Sequence, residues 1–236
     1  PHILGHEGSG EVIEGGDLAP GTPVYIEPAM PCHQCDQCLA GRENTCRTMR
    51  FRGNPHEAEG LMRQEVVMPA ECAIPLPEGI ALDVAPLLEP LCIAAHTVFL
   101  SKAEKSGRIA VVGAGPVGLM TMLAADVLEP RQVLVSELVP ERREAASRLG
   151  ANRTFDPGEA GGHEAVVDAA DGGVDVAFDC AGTPESIDDA ARMVTPGGTL
   201  VIVGIPEVDR VPIDMHWWRR RELTVVNVRR QNRALS

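Results

Sequence analysis

The stretch VVGAGPVG, residues 111 to 118, decides the fold. Its glycines at 113, 115 and 118 form G-x-G-x-x-G between the apolar run RIAVV and the helical pattern PVGLMTMLAADVL. Each glycine has its own physical reason. Gly113 allows the tight turn out of the strand, Gly115 lets the backbone approach a pyrophosphate, and Gly118 lets helix pack closely on strand. The helix that opens at Pro116 and Val117 then presents unpaired N–H groups and the positive end of its dipole to phosphate oxygens. Alone the pattern is weak, because a glycine turn after a buried strand can be purely structural.

Reading outward strengthens it. The next strand-like run, QVLVSE, ends on Glu137, nineteen residues beyond Gly118. A carboxylate at that strand end binds the ribose 2′-hydroxyl of a dinucleotide and repels the extra phosphate of NADP, so NAD is the expected cofactor. Arg142 and Arg143 stand close enough to soften that preference. Further strands, VDVAFD, TLVIVG and LTVVNV, are continuous apolar runs, as in a parallel sheet covered on both faces. The helical patterns APLLEPLCIAAHTVFLSKA, PERREAASRLG and PESIDDAARMV alternate with them. Residues 85–236 therefore read as a doubly wound α/β domain with a Rossmann sheet. Asp179, Cys180 and Ala181 end one strand and Gly204 and Ile205 another, beside the switch-point crevice where such sheets bind ligands. The backbones of Cys180, Ala181, Gly204 and Ile205 are expected to face the nicotinamide.

Residues 1–84 have a different texture. Short β-like runs at 11–14, 22–27 and 64–68 are separated by Gly, Pro and cysteines, without a helical period. Acidic residues outnumber basic ones by 34 to 21, a formal charge of -13 that opposes nucleic-acid binding through phosphate neutralisation. No signal peptide and no membrane-length apolar run appear, which reads as a cytoplasmic protein. Both ends of the chain read as cut.

PCHQCDQCLAGRENTC places Cys32, Cys35, Cys38 and Cys46 within one loop. Disulfides are disfavoured without a secretory signal. The start of the motif is like a bacterial ferredoxin run, but the fourth cysteine comes late and lacks a following proline. A thioredoxin-like pair fits poorly, because the motif does not open a βαβ unit. A closed four-thiolate zinc site would staple a loop with little hydrophobic content. GHE at residues 5–7 offers His6 and Glu7 as a possible metal pair, although a bare histidine is more often structural.

Taken together, GHEGSGEVIEGG, CHQCDQCLAGRENTC, MRFRG, LLEPLCIAAHTV, VVGAGPVG and GGTLVIVGIP resemble, in order and spacing, the zinc-dependent medium-chain alcohol dehydrogenase family. EPL at Glu89, MRF at Met49 to Phe51 and NVRRQN point to its polyol branch, the sorbitol, xylitol and idonate dehydrogenases. The resemblance implies part of an irregular β-rich GroES-like catalytic domain ahead of an NAD-binding domain. It implies that the four cysteines hold a structural zinc. His6, Glu7 and Glu89 would hold a catalytic zinc, with Cys92, one helical turn from Glu89, as a rival ligand. The family's first cysteine ligand and its proton-relay hydroxyl belong to a segment preceding GHE. Phe51 would wall the substrate pocket and Arg229 would donate to substrate hydroxyls. The implied reaction moves a hydride from a secondary alcohol, polyol or sugar-derived, to NAD. Threonine-type or general alcohol dehydrogenases, a zinc-independent NAD(P)H reductase and a non-enzymatic zinc-ribbon module are the alternatives. The apolar segment VPIDMHWWRRRELTVVNV puts a strand at the sheet edge, where the resemblance implies homodimers or homotetramers.

Overall fold

The computed structural model describes residues 2–159 and 161–232. The chain forms two compact units that part between Cys92 and Ile93.

The first unit is built on short strands. β1 (Ser9–Glu11) pairs antiparallel with β2 (Pro23–Ile26), and β2 pairs antiparallel with β5 (Ala73–Pro75). A second ribbon joins β3 (Ala29–Met30) to β4 (Arg50–Phe51), and between them lies the one-turn helix α1 (Asp36–Leu39). Val24, Tyr25 and Ile26 of β2 are all buried, so the middle strand is the core of this unit. The run expected as a strand at 64–68 is not one. Val67 there is 97% exposed, leaving no apolar face to pair, and the third strand comes instead from Ala73–Pro75. The run expected at 11–14 is likewise displaced, with the strand ending at Glu11 before the Gly15–Gly16 turn, where both glycines have positive φ. A 3-10 helix (Ala85–Leu87) leads into α2 (Leu88–Ser101), within which the units part.

The second unit alternates strand and helix: β6 (Arg108–Val112), α3 (Pro116–Ala124), β7 (Gln132–Ser136), α4 (Pro140–Arg148), β8 (Arg153–Phe155), α5 (Gly162–Ala169), β9 (Val174–Asp179), α6 (Pro184–Met193), β10 (Val194–Ile202), α7 (Met215–Arg220) and β11 (Thr224–Asn227). The sheet order is β11-β10-β9-β6-β7-β8, every pair parallel. Numbered within this unit, that is the order 3-2-1-4-5-6 of a dinucleotide-binding sheet, with its switch point between β6 and β9. The period-2 alternation of β6 shows why both faces are covered. Ile109 and Val111 join one buried cluster with Val135 and Phe178, while Ala110 and Val112 join another with Leu134 and Leu200.

Three elements were not legible as such. β8 is three residues long and buries only Phe155. α5 carries a single fully buried side chain, Val166. The segment ahead of the edge strand holds helix α7, started by Asp214, whose carboxylate accepts the Trp217 N–H at 3.0 Å; the expected strand LTVVNV follows as Thr224–Asn227. Among the described residues no helix is long and apolar enough to cross a membrane.

Candidate functional site

Three groupings carry the sequence-predicted residues. The first is the glycine loop at the C-terminal end of β6. Gly113 has φ +89°, and a side chain there would meet Ala181 at 3.0 Å. A Cβ on Gly118 would overlap the Gly113 carbonyl oxygen, so this glycine lets α3 lie against the turn. Around Gly115, which caps α3 in extended conformation, a Cβ would meet no protein atom within 4 Å. The first and third glycines are thus packed against protein while the second faces open space, the cradle a pyrophosphate needs.

Glu137 lies beside this loop and is 6% exposed. Its carboxylate accepts the Ala114 N–H at 2.7 Å through Oε2 and the Val139 N–H at 2.8 Å through Oε1. Each oxygen keeps a lone pair for a hydroxyl donor. Arg142 Nη1 lies 3.9 Å from Oε2. Arg143 is committed elsewhere, donating to the Glu137 and Leu138 carbonyls and pairing with Asp156 at 3.0 Å.

At the ends of β9 and β10 two chain segments cross closely. A Cβ on Gly182 would meet Gly204 at 2.8 Å. Asp179, fully buried, shapes this crossing: its Oδ1 accepts from Ser186 Oγ at 2.7 Å and from Gly182 N–H at 3.2 Å. Burial raises its pKa above the ordinary carboxylate value, against the opposing pull of those donors. Ala181 and Ile205 are exposed at this edge, and a cavity of about 410 Å³ opens beside Gly204, Ile205 and Val228. A larger cavity, about 510 Å³, lies at the opposite ends of the strands around Arg108 and Asp175. The first is the ligand edge, because parallel sheets bind ligands at the carboxyl ends of their strands. Arg229 follows β11 and is exposed.

The second grouping is the four cysteines. All seven thiols of the chain are free, and the Sγ atoms of Cys32, Cys35, Cys38 and Cys46 lie within 4.8 Å of one another. Cys35–Cys38 is 3.6 Å, with Cys32–Cys38 and Cys35–Cys46 at 4.0 Å. Four thiolates about a zinc at ~2.3 Å stand about 3.8 Å apart, so the donor set fits that ion with no open position. The Gln34 backbone N–H and the Thr48 hydroxyl lower the Cys32 pKa to about 6, whereas burial and then the neighbouring thiols push Cys38 up to about 12. His33 is not among the four ligand groups. Its left-handed backbone (φ 55°) turns the ring outward, where it bridges Glu43 and Glu71 at 3.1 and 3.2 Å.

The third grouping draws on two segments. His6 and Glu7 precede β1, Glu89 opens α2, and their ligand atoms lie within 4.8 Å of one another. One imidazole and two carboxylates are nitrogen and oxygen donors of the kind zinc accepts. Glu89 is 4% exposed. The ring of Phe51, itself buried, lies 5.3 Å from that of His6. Cys92 is 2% exposed, burial raises its pKa to about 12, and it falls outside this cluster.

One residue near this grouping escaped sequence reasoning. Tyr25 is fully buried, and its hydroxyl has no hydrogen-bond partner among the described residues, a cost of about 1–3 kcal/mol. The available signal was its being the chain's single tyrosine, inside the apolar run PVYI.

Comparison with known proteins places these groupings in context. Residues 116–235 match the zinc-binding dehydrogenase family, and residues 1–78 match the alcohol dehydrogenase GroES-like domain. The sorbitol dehydrogenase of Bacillus subtilis (strain 168) is 32% identical over 97% of this chain and 66% of its own length. A candidate zinc-binding dehydrogenase of Sinorhizobium meliloti 1021, solved bound to NADP, is 32% identical with a TM-score of 0.90, covering 99% of this chain and 70% of that one. The L-idonate 5-dehydrogenase of Escherichia coli K-12 is 26% identical with a TM-score of 0.89, covering 99% of this chain and 68% of its own. The chain spans 58% to 66% of the length of the two sorbitol dehydrogenases that match it from Arabidopsis thaliana and Bacillus subtilis.

Proposed function

The chain belongs to the zinc-binding dehydrogenase family, and from that premise we propose that the complete protein oxidises a secondary alcohol of the polyol or sugar-derived class with NAD. The observation that carries this reading is the convergence of His6, Glu7 and Glu89 from separate segments. Residues 1–84 belong to the catalytic domain and 85–236 to the NAD-binding domain, while the compact units part a little later, within α2 after Cys92.

Zinc, when bound, supplies a Lewis acid that lowers the pKa of an alcohol, and NAD supplies the hydride acceptor. The chain's own residues hold and orient. His6, Glu7 and Glu89 present nitrogen and oxygen donors to the cation, to be joined by the cysteine that the resemblance puts on the segment preceding GHE. Phe51 excludes water beside His6, and Arg229 donates to substrate hydroxyls. Gly115 and the α3 N-terminus hold the pyrophosphate, joined by Gly113, Pro116, Val117 and Gly118. Glu137 accepts from the ribose hydroxyls, and its charge disfavours a 2′-phosphate, with Arg142 moderating that preference. The backbones of Cys180, Ala181, Gly204 and Ile205 face the nicotinamide. Cys32, Cys35, Cys38 and Cys46 hold a structural zinc. The protein is read as cytoplasmic and as a homodimer or homotetramer, the assembly supported by the place of β11 at the edge of the sheet.

The test is a screen of NAD reduction by the complete protein over polyols, sugar acids, threonine-like amino alcohols and simple secondary alcohols, with zinc counted in parallel. Activity centred on polyols or sugar acids with two zincs per chain is the expected result. Two zincs without activity on any alcohol would reject the reading, and a single zinc with NAD(P)H-dependent reduction would favour a zinc-independent reductase.

A further inference from the structure

The catalytic-metal reading leaves Tyr25 unexplained. β2 is the middle strand, and Tyr25 stands opposite Ser9 of β1. Residues directly opposite in an antiparallel pair share a face. Ser9 Oγ donates to the Leu82 carbonyl at 2.5 Å, so the chain leading into α2 lies over that face. The ladder also runs on toward Glu7, because Ile26 N–H donates to the Gly8 carbonyl at 3.0 Å. Tyr25 is therefore enclosed between the two segments that supply Glu7 and Glu89, with its hydroxyl buried and unpartnered among the described residues. A phenol is protonated at neutral pH, so Tyr25 carries an O–H to donate.

Resting on the metal reading above, we propose that Tyr25 is a positioning residue of the His6–Glu7–Glu89 centre, its O–H donating a hydrogen bond to the Glu89 carboxylate when the cluster holds its cation. Glu7 is exposed and water can satisfy its spare lone pairs, whereas Glu89 is buried and relies on protein donors. Outer donors of this kind fix which carboxylate oxygen meets the metal.

The test compares Tyr25→Phe with wild type in the complete protein. The dissociation constant of the catalytic zinc is measured by chelator competition, with the cysteine-bound zinc as internal reference. The expected result is a roughly 10- to 100-fold weaker catalytic zinc, with the metal-free melting temperature unchanged or raised. Catalytic zinc affinity within twofold of wild type would overturn the proposal, whatever happens to melting. Should Tyr25→Phe fail to fold, 3-fluorotyrosine at position 25 decides: its ¹⁹F resonance should shift on zinc titration, and an unmoved resonance overturns the proposal. His6→Ala separates the two ideas. If it releases one zinc while Tyr25→Phe does not weaken binding, only the Tyr25 role fails; if it releases none, the metal reading itself fails.

Discussion

The Glu137 carboxylate accepts the Ala114 N–H at 2.7 Å, tying the end of the second strand of the α/β unit to the middle of the glycine loop. One side chain thus holds the loop in shape and offers its remaining lone pairs outward. Glu137→Ser should weaken NAD about 10- to 100-fold, the worth of a hydrogen bond to a charged group, and shift preference toward NADP. Glu137→Gln keeps an acceptor but loses the charge, so it should shift preference with a smaller loss. Fluorescence titration with NADH and NADPH measures both, and an unmoved ratio in Glu137→Ser would remove the ribose assignment.

Gly118 is set by packing as well as by the pyrophosphate, so its substitution should be felt both in the fold and at the cofactor. The Gly118→Ala methyl overlaps the Gly113 carbonyl oxygen, so α3 or the turn must move. Stability should fall by about 1–3 kcal/mol together with NADH affinity. Thermal melts with and without NADH check this, and a variant with both unchanged would show that the loop tolerates a shift the packing forbids.

At the cysteine cluster the expected phenotype is structural. Cys46→Ser should release one zinc per chain and lower the melting temperature by roughly 5 °C or more before it changes hydride chemistry. Zinc content and melting measured on the same sample decide; retention of both metals and the wild-type melting point would contradict a four-thiolate staple.

The Arg108–Asp175 pair gives a pH signature. Burial opposes ionisation of Asp175, but the Arg108 side chain and backbone N–H outweigh it and hold the carboxyl below its ordinary value of 3.8. A depressed carboxylate stabilises the fold above its unfolded pKa, and that stability is lost as pH falls through the folded one. Asp175→Asn should therefore melt lower than wild type at pH 6 to 7, with the gap closing below about pH 4. A gap that persists at low pH would assign the effect to packing.

Much of this was legible because the deciding signals are local. The glycine spacing with Glu137, the apolar runs of β6, β7 and β9, and the cysteine spacing each fit within a short window. β8 and α5 were not, since each buries a single side chain and leaves no periodicity to read. Asp214 could have flagged α7, because an acidic cap before a mixed apolar and basic run is a helix start. The convergence of His6 and Glu7 with Glu89 lies beyond any window; it came from resemblance, and periodicity has no access to it. Tyr25 was invisible for a further reason. A tyrosine in an apolar run reads as core, and only the fold reveals that its hydroxyl lacks a partner.

The proposed activity needs His6, Glu7 and Glu89 to form a metal centre separate from the cysteine cluster. The most direct measurement is zinc per chain in the complete protein for wild type and His6→Ala, alongside NADH binding and alcohol-dependent NAD reduction. Two zincs should fall to one, with turnover abolished and NADH binding intact. Two zincs and retained turnover in His6→Ala would contradict it.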